Sequence, residues 1–253
     1  MSLTPPADSP AGAVVARQLS LFGVAAVDPT PADLAGLLAG PGRISRMGGT
    51  VRVSVDVDHA WRVHVLVAEL RHRGLTPSWR QTPEGRLVVR TAYTAVLSQL
   101  GAAWLHPRPG SPPPATTDTG TQAEIDAEVR DDAEIDAGVR DDADADAGVR
   151  DDADDRLVKR PPVGFHLAGQ RLRLWAAAAG VRDQLGFRLG LGEPDADNWA
   201  QVGAALAAIG LPAALLDARS GGPAFRIVGR RRLTRLAELL GDRPSAAPPD
   251  GWV

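Results

Sequence analysis

The sequence predicts a mixed α/β (α+β) fold in which one αββαββα unit, carrying an antiparallel sheet, is built twice. Three observations lead there. Residues 31–108 and 163–243 each show helical and strand hydrophobic periods in the same order. Their glycine stops are spaced alike: Gly42 to Gly74 is 32 residues and Gly180 to Gly210 is 30, then Gly74 to Gly101 is 27 and Gly210 to Gly241 is 31. Between them, residues 109–162 are low in complexity and acidic, a composition that cannot bury a core of its own.

In the first unit, residues 34–42 (LAGLLAGPG) read as an apolar helix ending at glycine. Residues 51–57 (VRVSVDV) alternate strictly, the mark of a half-buried strand, and residues 43–47 supply a partner across Gly48-Gly49. Asp58 stands where a helix N-cap is wanted. Val63, Leu66, Val67 and Leu70 then recur at helical spacing up to Gly74. Residues 75–80 and 86–90 form a hairpin around Pro83-Glu84-Gly85, and a last helix over 92–100 is expected to stop at Gly101.

The second unit repeats this series. Residues 172–180 (LRLWAAAAG) give the first helix, and 181–185 and 187–191 give two strands. Asp195 or Asp197 is the expected cap of a helix carrying Trp199, Val202, Leu206 and Ile209. A hairpin of 211–218 with 224–228 and a helix over 231–240 complete it.

The remaining segments read as unstructured. Residues 1–30 and 244–253 are expected to be tails rich in proline and alanine. The segment 109–162 holds three ten-residue copies (AEIDAEVRDD, AEIDAGVRDD, ADADAGVRDD), too poor in apolar residues to stack as a solenoid. Net charge is −3, but residues 118–156 carry 16 acids against 4 arginines, while 31–108 and 159–243 are each basic. The chain has no cysteine, which excludes disulfides and thiolate metal sites. No apolar run reaches the ~20 residues of a membrane span, and no signal peptide precedes the first unit. A cytoplasmic location follows as the expectation. The single lysine, Lys159, against 27 arginines fits the codon bias of a GC-rich genome.

The element order, with Leu34-Ala35-Gly36-Leu37-Leu38 and the closing Gly42, resembles the LAGLIDADG homing-endonuclease family; residues 172–180 match it in their ends and small residues. The resemblance implies a monomer with internal pseudo-twofold symmetry, its two motif helices packed together at the axis and its two sheets forming a saddle on double-stranded DNA. The interface would comprise Ala35, Gly36, Ala39 and Gly40 against Ala176, Ala177, Ala179 and Gly180. Glycine costs about 1 kcal/mol in a helix interior, so Gly36 and Gly40 call for a close packing partner.

Family nucleases hold a divalent metal on an acid just before each final motif glycine. The matching positions here are Pro41 and Ala179, and the earlier acid is replaced by Ala39 and Ala177. Hard cations need oxygen ligands, so the resemblance implies binding without family-type cleavage, with no metal or cofactor. The family includes an actinobacterial sporulation regulator that acts by binding. The alternatives are a nuclease using Asp56, Asp58, Asp195 and Asp197, and a protein-interaction module. The five histidines (His59, His64, His72, His106, His166) lack metal-motif spacing, and Tyr93 stands outside any nucleophile constellation.

Strand alternation then assigns a DNA-facing side, since successive residues point to opposite faces. It selects Arg52, Ser54, Arg80, Arg86 and Arg90 in the first unit and Arg188 and Arg226 in the second, and Arg43, Arg46 and Arg182 join them as arginines on the segment after the first helix of each unit. Arginine pairs bidentately with phosphate or guanine edges; an ordinary solvated sheet face is the competing reading. In the N-terminal tail, Gln18-Leu19-Ser20-Leu21-Phe22 resembles the pentapeptide that docks bacterial proteins on the replicative sliding clamp. That resemblance implies recruitment to replication or repair, with Leu21 and Phe22 as apolar anchors.

Overall fold

A computed structural model describes residues 27–108 and 157–253. It is a mixed α/β structure with antiparallel sheets. In the first half a 3₁₀ turn, Pro31–Leu34, leads into α1 (Ala35–Ala39), followed by β1 (Arg43–Met47), β2 (Thr50–Val57), α2 (Ala60–His72), β3 (Pro77–Gln81), β4 (Leu87–Thr91) and α3 (Ser98–Trp104). A two-stranded ribbon of β5 (Leu105–Pro107) and β6 (Leu157–Lys159) follows. The second half runs α4 (Gly169–Ala179), β7 (Gly180–Arg182), β8 (Gly186–Gly190), α5 (Trp199–Ala208), β9 (Ala214–Leu216), β10 (Ala224–Val228) and α6 (Arg230–Leu240).

Both sheets are four-stranded and share one topology, β1-β2-β4-β3 and β7-β8-β10-β9. The alternation of β2 is realised residue by residue: Val51, Val53, Val55 and Val57 are buried under the helices, while Arg52, Ser54 and Asp56 point away. In β8 the same alternation buries Phe187 and Leu189 and turns Arg188 out. The two central helices end where glycine permits a left-handed residue, at Gly74 (φ 70°) after α2 and Gly210 (φ 82°) after α5.

One continuous apolar cluster spans both halves. Helices α1 and α4 pack directly together. A side chain on Gly36 would collide with the backbone carbonyl of Arg171, and one on Gly40 with the Trp175 ring. The glycines in and after α1 are thus needed for close approach, as expected, but their partners are Arg171, about one turn before the Ala176–Ala179 run, and Trp175, immediately before it. Ala176 and Ala177 are fully buried, and Ala179 lies against Gly190 of its own half.

Four expectations are corrected. Gly101 lies inside α3, because a side chain there would strike Val51; it serves packing and the helix continues to Trp104. Residues 244–253 are not a loose tail: Trp252 and Ala247 are buried, and the Arg173 guanidinium lies 5.5 Å from the Trp252 ring. The segment read as linker over 109–162 contributes β6 and then buried Pro161. Asp58 and Asp195 do not cap α2 and α5, which begin without a side-chain cap bond. The pentapeptide Gln18–Phe22 and the decapeptide copies lie outside the described residues.

Candidate nucleic-acid interface

The face of each sheet turned away from the helices is set by register. Cross-strand partners share a face, so the pairs Arg43↔Ser54, Ser45↔Arg52, Ser54↔Arg90, Ser78↔Arg90, Asp56↔Val88 and Arg80↔Val88 define one surface on the first sheet. Arg86 joins it by reaching Asp56 at 3.2 Å, where Arg43 also binds. Arg52 stacks over the Tyr93 ring at 4.4 Å, and Arg90 donates from Nε to the Ser78 hydroxyl at 3.2 Å. Five arginines thus share this surface with one carboxylate. Arg43 and Arg86 keep 61% and 62% of their side-chain area exposed, so their pairing with Asp56 adds little stability.

Two predicted arginines fall elsewhere. Arg46 pairs with Val51, and Arg182 with Phe187, which puts both on the helix side of their sheets, at exposed strand ends. A place after the first helix of each unit does not fix which face a strand residue takes; the register does, and it turns Arg43 and Val181 outward. Trp79 sits on the helix side opposite Val89 as expected, yet is 58% exposed because β3 is an edge strand.

The second sheet presents a different surface. Val181, Arg188, Arg226 and Ala214 face outward together. Arg188 and Arg226 both reach Asp183, at 3.3 and 3.0 Å, and Arg188 also donates to the Gly221 carbonyl.

Where α1 and α4 end, each chain of carbonyls meets a buried cation. Arg62 of α2, 3% exposed, donates to the carbonyls of Ala176, Ala177 and Gly180 at 3.4, 3.0 and 2.7 Å, and from Nε to Asp58 at 2.7 Å. Its guanidinium lies 4.5 Å from the Trp61 ring. At the end of α1, Lys159 of β6 donates to the carbonyls of Gly40 and Gly42 at 3.2 and 2.6 Å and pairs with Asp195 at 2.6 Å. Asp58 and Asp195 occupy matching places, after β2 and after β8. Each therefore holds a cation on the helix of the opposite half. Burial lowers the pKa of Lys159 and raises that of Asp195, and their mutual attraction opposes both shifts. Cations also suit the carbonyl end of a helix.

Pro41 and Ala179, expected to stand in place of metal-binding acids, lie at this seam. Pro41 is next to Gly192, and Ala179 next to Gly190. Neither side chain can ligate a metal, and the acids weighed as substitutes are engaged: Asp56 by Arg43 and Arg86, Asp58 by Arg62 and His59, Asp195 by Lys159. Asp197 lines a cavity of about 630 Å³ that opens here. Its walls bring Arg43 of β1 and Arg86 beside β4 together with Lys159 of the ribbon, Arg108 and Arg160 just beyond its strands, and Asp195 of the second half.

Sequence reasoning missed Arg62, Lys159 and Asp183. Lys159 carried one signal, as the only lysine in the chain. The carbonyls it binds lie more than a hundred positions away, which local patterns do not register.

Against this geometry stands the outcome of the comparisons: no protein-family model and no curated protein matches the chain.

Proposed function

We propose that this chain binds double-stranded DNA on the open face of its first sheet, on a duplicated scaffold of LAGLIDADG type, without cutting by that family's metal chemistry. The carrying observation is the convergence of Arg43, Arg52, Arg80, Arg86 and Arg90 on one strand-ordered surface beside a single carboxylate. A twisted sheet whose arginines project on one side can contact phosphates and reach base edges. The repeated element order, the shared strand order and the packing of α1 on α4 support the duplicated scaffold. The two buried cations at the helix ends support binding over hydrolysis, since Arg62 and Lys159 already satisfy the carbonyls there.

A mobility shift with duplex DNA over a salt series tests this reading. Binding is expected to weaken steeply, with a log–log slope of about −0.9 per phosphate contact. Salt-independent binding, or none, would refute it, and plasmid cutting in Mg²⁺ that Asp56→Ala abolishes would favour the nuclease alternative.

The pentapeptide at 18–22 supports a second attachment, to a sliding clamp. Val27, the first described residue, is held to the fold, its carbonyl accepting from Gln170 near the start of α4. Weak contacts to a clamp and to a duplex would reinforce each other through effective concentration. Replacing Leu21 and Phe22 with alanine is expected to abolish clamp binding; unchanged affinity would remove this part of the reading.

A further inference from the structure

We infer that the arginine face of the first sheet is also the docking surface for residues 109–156 of the same chain, which compete there with DNA. The inference rests on the DNA-binding reading of that face and names its regulation. Charge complementarity is the first support. The face carries five arginines and one aspartate, and residues 109–156 carry 16 acids and 4 arginines. Carboxylates on an extended strand offer arginine the same charge-assisted, bidentate bonds that phosphates do.

The second support is where the segment begins and ends. It departs after Arg108 and returns at Leu157, and both residues line the cavity whose wall includes Arg43, Asp56 and Arg86. The two ends are held side by side, because Leu105 pairs with Lys159 and Pro107 with Leu157. They are also fixed to the body. Lys159 is bound through its ammonium to Gly40, Gly42 and Asp195, and its carbonyl accepts from Asn198 at 2.7 Å. The two anchor points of the segment, Arg108 and Leu157, thus lie beside the arginine face.

Reach is ample. A loop of 48 residues anchored at both ends extends up to about 80 Å, at roughly 3.3 Å per residue over half its length. Four strands span only about 15 Å. Tethering at this distance sets a local concentration on the order of millimolar. An acidic segment of ordinary weak affinity would then occupy the face most of the time, and apparent DNA affinity falls by the fraction of face left open.

The test neutralises the segment at constant length, exchanging the 16 acids for Asn and Gln in the full chain. Duplex affinity is expected to rise about tenfold at low salt, with the gap closing as salt is added. Equal affinity in the two chains overturns the inference. Because the chain has no cysteine, a nitroxide on Ala137→Cys gives a readout independent of DNA. Amides of Arg52, Ser54 and Arg90 are expected to broaden in the acidic chain at low salt, and to sharpen in the neutralised chain. Absence of broadening overturns the inference whatever DNA does. Broadening with no DNA binding by the neutralised chain upholds the docking and sinks the DNA reading.

Discussion

The open faces of the two sheets share a topology and differ in charge. The first sets five arginines beside Asp56; the second sets Arg188 and Arg226 around Asp183, with Val181 and Ala214 beside them. Identical strand order therefore does not carry identical surface chemistry. The helix-facing positions are held to apolar side chains by the common core, whereas outward positions pack on nothing comparable and diverge. The ends of α1 and α4 show the same principle from inside. Both need a cation, yet one is supplied by Arg62 of a neighbouring helix and the other by Lys159 of the ribbon.

The largest expected effect comes from breaking that internal pair of caps. Arg62→Ala takes the guanidinium from three carbonyls of the second half, of which Ala176 alone keeps a helical partner in the Gly180 N–H. A loss of about 3–5 kcal/mol is expected in chemical denaturation. Lys159→Met should cost less, about 1–3 kcal/mol, because burial already favours the neutral form of Asp195, which can take up a proton. Equal costs would show that the two caps are equivalent.

The faces are compared next. Arg52→Ala with Arg90→Ala is expected to weaken duplex binding by about tenfold or more, at roughly 1 kcal/mol per lost charge-assisted contact. Arg188→Ala with Arg226→Ala should change it less than threefold, since both guanidinia are committed to Asp183. The reverse order in a mobility shift would place the DNA on the second sheet.

The smallest effect is a pH dependence at the other end of the seam. Glu69 accepts from Arg73 of its own helix and Arg173 of α4, both at 2.7 Å. Burial pushes its pKa up, but the hydrogen bonds and charges of Arg173 and Arg73 together hold it below the ordinary 4.5. A lowered carboxyl stabilises the fold fully above its unfolded pKa and loses that contribution as pH falls through the folded one. Stability should therefore drop below pH 4.5, and Glu69→Gln should flatten that drop in denaturation curves taken across the acid range.

Much of the architecture was legible because it is written in short-range pattern. The valines of β2, the helical spacing from Val63 to Leu70 and the glycines after α2 and α5 each state a local geometry. What escaped depends on distant partners. Gly101 looks like a stop until Val51 is seen against it, and Trp252 looks like part of a tail until the core of the second half receives it. Asp58 and Asp195 sit where caps belong, yet their oxygens are claimed by cations that no nearby spacing announces. At the candidate site the outward arginines of β2 and β4 follow from alternation, while a place after the first helix, the ground for Arg46 and Arg182, does not set which face a strand residue takes.

The ribbon of β5 and β6 has a consequence for how this chain can vary. Its two strands clip the halves together at the base of everything between them. The intervening 48 residues are, to the folded body, the loop of a long hairpin. Gain or loss of whole decapeptide copies through tandem duplication would alter the amount of negative charge without moving a residue at the seam. Selection can thus tune that charge in ten-residue steps while the architecture stays fixed.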